Sequence, residues 1–187
     1  MRSGFGIYAR SVVQSLMTRQ AEDNLLLFAP YLSDNPILEP ENSPFFKSER
    51  VNVILPWLSS KRFFSQAELT ARVHFSGIDI YHGLSQEIPF SARHLSCPKV
   101  VSICDLIYRR TPASLNTSSF QAQDKKLRMA VSISDIIIAI SESTKADLID
   151  ALDVSSEKIR VIYPSCHHRF FARLSPHDLT EFKTVYD

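Results

Sequence analysis

The chain has 187 residues, 44% hydrophobic and 22% charged, which is ordinary for a globular domain able to bury one core. Its formal charge of +1 lacks the strong basic excess that nucleic acid selects, so nucleic acid is not expected as a partner. No stretch approaches the roughly 20 apolar residues of a spanning helix, and Met1 and Arg2 lead into glycine instead of an apolar signal core. Cys97, Cys104 and Cys166 form no C-x-x-C pair and leave an odd thiol, which favours reduced thiols in a cytoplasmic compartment.

In chain order, Gly4-Phe5-Gly6-Ile7-Tyr8-Ala9 satisfies the loose dinucleotide fingerprint G-x-G-x-x-A. That fingerprint requires a strand before its first glycine and an acidic residue after the next strand. Only three residues precede Gly4, and Leu25–Phe28 runs into Ala29-Pro30, so a nicotinamide or flavin site is not expected. The segment reads instead as a glycine turn opening a helix over Ile7–Arg19, with Val12, Val13, Leu16 and Met17 inward. Glycines allow close backbone approach to a ligand, and a helix start favours an anion.

Leu25–Phe28 is a short apolar strand. Residues 33–50, with Pro36, Pro40 and Pro44, read as a solvated excursion. Val51–Leu55 is a second strand, ended by Pro56. Lys61–Phe75 suits an amphipathic helix carrying Phe63, Phe64, Ala67, Ala71 and Phe75 near one face. Those aromatics suit core or partner packing first; beside Lys61 and Arg62 they also leave a peripheral contact with the inner membrane face open. Asp79-Ile80-Tyr81-His82-Gly83-Leu84-Ser85 is a strand entering a turn, which sets His82 at a carboxyl end, where open α/β sheets place ligands. A histidine bonded within the strand end explains it equally well.

Lys99–Ile103 is a β-branched strand followed by Cys104-Asp105. An aspartate there caps a turn, bonds a sugar hydroxyl or binds a metal, and capping is the commonest of the three. A helix over Ser118–Ile133 leads to the clearest unit in the chain. Ile136–Ile140 is an unbroken apolar run suited to a strand buried on both faces. Ser141 or Ser143 caps a helix with Leu148, Ile149 and Leu152 inward, and Ile159–Tyr163 is the next strand. This βαβ unit makes the fold class α/β: one Rossmann-like parallel sheet with helices on both faces.

Two constellations are set aside. Cys166-His167-His168 with His177 lacks the usual spacing of zinc ligands. Ser141 with His82 and Asp105 lacks the G-x-S-x-G elbow of a hydrolase triad.

Four segments stand in a shared order: DIYHGLSQEIP (79–89), VVSICDLIYRRTP (100–112), SDIIIAISESTKADLI (134–149) and EKIRVIYPSC (157–166). In that order and spacing they resemble the N-terminal domain of family 4 glycosyltransferases of GT-B architecture. The YHGLS-x-E-[LI]-P pattern is closest to Bacteroidetes-type members, and SGFGIYAR is similar to the family's glycine-rich loop and first helix. The resemblance covers nearly the whole chain.

It implies transfer of a sugar from a nucleotide-sugar donor to a glycan or lipid-linked acceptor, with retention, without metal or other cofactor. The N-terminal domain supplies the acceptor side, and a C-terminal domain with an E-x₇-E motif holds most of the donor. By position, Cys104 and Asp105 match the family's His-Asp catalytic pair. Gly4, Gly6 and Tyr8 match the glycine loop; His82, Gly83, Ser85 and Glu87 match the YHGLS-x-E segment. Ser141, Thr144 and Lys145 match the S-E-x-T-K helix start.

Four positions depart from the pattern. Cys104 stands where the family has histidine, and a thiol does not reproduce an imidazole's donor–acceptor pair. Ser165 replaces a usual glycine, and Ser119-Phe120 stands where close relatives have Asp-Arg. Residues 175–187 read as the start of an interdomain linker, and no E-x₇-E segment follows. Met1-Arg2-Ser3 is too short for the strand that precedes the glycine loop in the family, between the second and fourth strands. The expectation is therefore an incomplete acceptor-side domain over 1–187, inactive alone. The alternative is a non-catalytic binding or assembly module, or decayed pseudoenzyme, that pairs with another chain.

Overall fold

A computed structural model describes residues 4–18, 22–28, 48–55, 66–110 and 117–165. Helix α1 spans Gly4–Thr18 and precedes the parallel pair β1 (Leu25–Phe28) and β2 (Val51–Ile54). Helix α2 (Gln66–Phe75) leads to β3 (Tyr81–Gly83), a 3-10 turn at Phe90–His94, and β4 (Lys99–Ile103). The short α3 (Ile107–Arg110) and the long α4 (Thr117–Ile133) follow. Next come β5 (Ile136–Ala139), α5 (Glu142–Leu152), a 3-10 turn at Ser156–Lys158 and β6 (Ile159–Val161). Every strand pairing is parallel, so the α/β, Rossmann-like reading holds.

The sheet is not continuous. Strands β3-β4-β5-β6 form one four-stranded sheet and β1-β2 a separate two-stranded one. The division arises because, among the described residues, no strand pairs with the outer edge of β1 or of β3.

Register assigns the side chains of the larger sheet to two faces. Val101 pairs with Ile137 and Ile103 with Ala139, while Ile137 and Ala139 pair with Ile159 and Val161. Partners in register share a face. These residues form the core with Leu106, Leu127, Ala130 and Leu148, most of them fully buried. The other face carries His82 opposite Val100, then Ser102 opposite Ile138, and Ile138 opposite Arg160. The run Ile136–Ile140 is therefore closed on one face only: Ile137 is fully buried and Ile136 is 42% exposed. Both faces are covered at β4, where Ser102 is as buried as Val101 and Ile103.

Local chemistry fixes the ends of these elements. Ser141 caps α5 by accepting from the Thr144 amide at 3.0 Å, and Asp153 closes it in the left-handed region at φ 56°. Asp135 ties β5 to β4: its carboxylate accepts from the Lys99 amide at 2.6 Å, and its own amide donates to the Lys99 carbonyl at 2.7 Å. Asp124 on α4 accepts from Tyr108 (3.1 Å), Arg109 (2.6 Å) and Arg128 (2.8 Å), which fastens α3 to α4. Burial raises the Asp124 carboxyl, but the bonds from Arg128, Arg109 and Tyr108 outweigh it and leave it below the usual range.

Several boundaries differ from expectation. Helix α1 starts at Gly4, so Gly4 and Gly6 lie inside it instead of forming a turn. A Cβ on Gly4 would meet nothing, so neither space nor backbone explains a glycine there. Strand β3 is three residues long, because the chain turns sharply after Gly83, with Gln86 at φ 63°. Residues 61–65, 166–168 and 175–187 lie outside the described residues; so do the Lys61–Phe64 cluster, Cys166 with its histidines, and the linker.

Candidate functional site

The carboxyl ends of β3 and β4 meet the start of α1 on the less apolar face of the sheet. Ser102 stands one residue from the end of β4 and is fully buried. Its hydroxyl accepts from the Tyr8 phenol at 3.0 Å and lies 2.9 Å from His82 Nε2. An α1 residue, a β3 residue and a β4 residue are thus joined through one oxygen, with Tyr8 ninety-four positions from Ser102 in sequence. Ser102 gives its proton to Nε2 when His82 is protonated on Nδ1, and accepts from Nε2 otherwise.

The electrostatics make this a neutral cluster. Burial lowers the His82 imidazole below its ordinary value of 6.5, because desolvation penalises the cation. Burial likewise raises the Tyr8 phenol; its bond to Ser102 opposes the rise and the neighbouring Cys104 adds to it. The Cys104 thiol is pushed up to about 11, first by burial and then by the Asp105 carboxylate. At neutral pH the site offers an uncharged imidazole, two hydroxyls and a protonated thiol. A thiol held that high is a poor nucleophile, since thiolate is the reactive form.

Strand β4 then turns away. Asp105 is exposed, and its Oδ1 accepts from the Ile107 amide at 3.1 Å, capping the start of α3. Thr144, buried, donates to the Cys104 carbonyl at 2.9 Å and lies 2.9 Å from the Ser141 hydroxyl. That bond brings the start of α5 to the end of β4. Lys145 follows in the first turn of α5, half-buried.

Gly83 is required by packing. A Cβ there would collide with the Glu87 carbonyl oxygen and lie 2.9 Å from Ile88 Cγ1. The tight turn delivers Ser85 and Glu87 to a different place. Glu87 is exposed and pairs with Lys126 on α4 at 3.0 Å. Ser85, Gln86 and Glu87 line a cavity of about 380 Å3 with Tyr108, Ser119 and Lys126.

Of the residues singled out in the sequence, Tyr8 and His82 are bonded through Ser102, beside Cys104. Ser141 and Thr144 are tied to the Cys104 backbone, and Asp105 follows it. Gly4 and Gly6 lie on the first turn of α1, the helix that carries Tyr8. Ser85 and Glu87 stand apart. Ser102, the hub, was missed; its only signal is one polar side chain inside the apolar run Val100–Ile103. Among the described residues, no group of three or more His, Cys, Asp or Glu forms a metal cluster. Nor is any helix among them long and apolar enough to cross a membrane.

The sequence profile of Glycosyltransferase Family 4 matches residues 3–168, nearly the whole chain and every element described above. The chain belongs to this family. No individually curated protein matches it in sequence.

Proposed function

We propose that this glycosyltransferase domain builds the acceptor-side wall of a sugar-transfer cleft and that Tyr8, His82, Ser102 and Cys104 line it. The reaction is retaining transfer of a sugar from a nucleotide-sugar donor to a glycan or lipid-linked acceptor, with no resident metal. The observation that carries this reading is the Tyr8–Ser102–His82 chain at the carboxyl ends of β3 and β4, where parallel sheets bind ligands. With Nε2 engaged by Ser102, Nδ1 of His82 is the ring nitrogen left for a sugar hydroxyl.

The 187-residue chain alone does not turn over in this reading. A departing diphosphate needs cationic or dipolar stabilisation that strengthens in the transition state. The gathered groups are neutral, and Cys104 replaces the imidazole expected beside the reacting sugar. In this reading a donor-binding domain supplies those groups. The free thiols at Cys97 and Cys104 support a reducing compartment, the cytoplasm, as the place of action. The YHGLS-Q-EIP segment supports the Bacteroidetes-type subgroup.

The test combines a binding map with a turnover assay on the purified chain. Nucleotide sugars and oligosaccharide acceptors are expected to shift the NMR signals of His82 and Tyr8 while releasing no nucleoside diphosphate. Unmoved signals with every ligand would remove the site, and robust turnover by this polypeptide alone would remove the claim of inactivity.

A further inference from the structure

The turn that follows β3 leaves one residue in an unfavourable state twice over. Gln86 sits in the left-handed region at φ 63°, which residues other than glycine, asparagine and aspartate seldom enter. Its Oε1 is buried without a hydrogen-bond partner among the described residues. Buried acceptors in native proteins are nearly always satisfied, and strained backbone gathers where ligands are clamped. Both costs fall at one point, and that point borders a cavity.

The cavity holds about 380 Å3, within the range of roughly 300–1,000 Å3 for small-molecule sites. One side is the turn Ser85-Gln86-Glu87; the other is the face of α4 that bears Ser119, Ala122 and Lys126 at helical spacing. Tyr108 also lines it, with its hydroxyl fixed on Asp124 at 3.1 Å and its ring edge-on to Phe120. The two charges of the lining, Glu87 and Lys126, pair with each other at 3.0 Å and cancel. A ligand held here therefore gains nothing from a net charge. What remains is the Ser85 and Ser119 hydroxyls, the Gln86 amide and an aromatic ring, a set suited to a neutral, hydroxyl-rich molecule.

We infer that this cavity is a subsite for a neutral sugar unit of the acceptor, separate from the unit that reacts. The inference rests on the sugar-transfer reading for the kind of molecule, but its residues are different ones: Tyr8, His82, Ser102 and Cys104 do not line the cavity. Ser85 follows His82 by three residues, so their Cα atoms stand at most about 11 Å apart, and one oligosaccharide reaches both. On binding, the Gln86 amide turns about its soft terminal torsion and accepts a bond from a sugar hydroxyl. Its oxygen thereby gains the partner it lacks among the described residues, and the acceptor is held by a unit remote from the reacting hydroxyl. Acceptors of more than one sugar are favoured by such a site.

The experiment titrates the isotope-labelled chain with methyl α-glucoside, methyl α-mannoside and methyl β-galactoside, followed by NMR. At least one of these sugars is expected to move the Gln86 side-chain amide signals and the Ser119 amide saturably. Ala122→Phe fills the cavity from the exposed face of α4, and Gln86→Gly removes the amide while keeping the left-handed turn. Each is expected to weaken binding roughly tenfold, and the corresponding uronic acid to bind no tighter than the neutral sugar. Signals at Gln86 and Ser119 that no sugar moves, unchanged affinity in either variant, or tighter binding of the uronic acid would overturn the subsite. Failure of the cleft itself reads differently: Gln86 and Ser119 would respond to sugar while His82 and Tyr8 stay still with every nucleotide sugar and acceptor.

Discussion

The two faces of the four-stranded sheet use alternate residues of the same strands for opposite purposes. On one face Val101, Ile103, Ile137 and Ala139 are completely buried within the hydrophobic core. On the other, Ser102 is just as buried but bonded to Tyr8 and His82, while Ile136 and Arg160 remain exposed. One face sets how firmly the domain folds; the other sets what it can touch. A one-residue shift in register would exchange the two, so the pairing Ser102 opposite Ile138 is what keeps chemistry and core apart.

The sharpest way to break the contrast is from the core side. Ile137→Ala is expected to cost about 3–4 kcal/mol by removing buried methyls and leaving a cavity. Urea denaturation measures it, and a loss under 1 kcal/mol would show that the face is loosely packed. Gly83→Ala comes next, at about 2–3 kcal/mol, because the new methyl meets backbone and not a yielding side chain tip. The same melts test it; a neutral result would mean that the Gly83–Ile88 turn relaxes freely.

On the polar face, Ser102→Ala removes one hydrogen bond at each of two partners, at about 1–2 kcal/mol. It should also move the His82 titration in NMR, which a purely apolar packing role would leave in place. The pH dependence follows from the same imidazole. Its folded value lies below 6.5, so on acidification the unfolded chain takes up this proton first. The contribution of His82 is fully present above about pH 6.5 and is lost as pH falls towards the folded value. Thermal melts from pH 7.5 to 5 should show that decline, flattened in His82→Gln. The smallest effect lies outside both faces: Asp153→Gly relieves a left-handed backbone and should add about 0.5–1 kcal/mol. Unchanged melting would place the strain elsewhere.

Much of the scaffold was legible because local signals agreed. The Ile136–Ile140 run, a serine cap and the stripe at Leu148, Ile149 and Leu152 all pointed to one βαβ unit. Lys99–Ile103 was read to the residue. The start of α1 was misread because glycines imply a turn, yet Gly4 and Gly6 are carried into the helix. The division of the sheet falls between β1 and β3, where the family resemblance had left a strand unaccounted for. Half of the site was visible as motif positions, His82 and Tyr8 among them. Ser102 was not, since a serine in an apolar strand acquires meaning only when two distant residues converge on it. Glu87 was grouped with the site by motif, but its partner Lys126 lies thirty-nine positions on and draws it to another surface.

The bond from Thr144 to the Cys104 carbonyl has a mechanical corollary. One hydroxyl closes the opening turn of a helix and grips the last peptide of a neighbouring strand, so the two segments move as a single lever. A shift of the amino end of α5 is therefore expected to displace the Cys104 peptide as well.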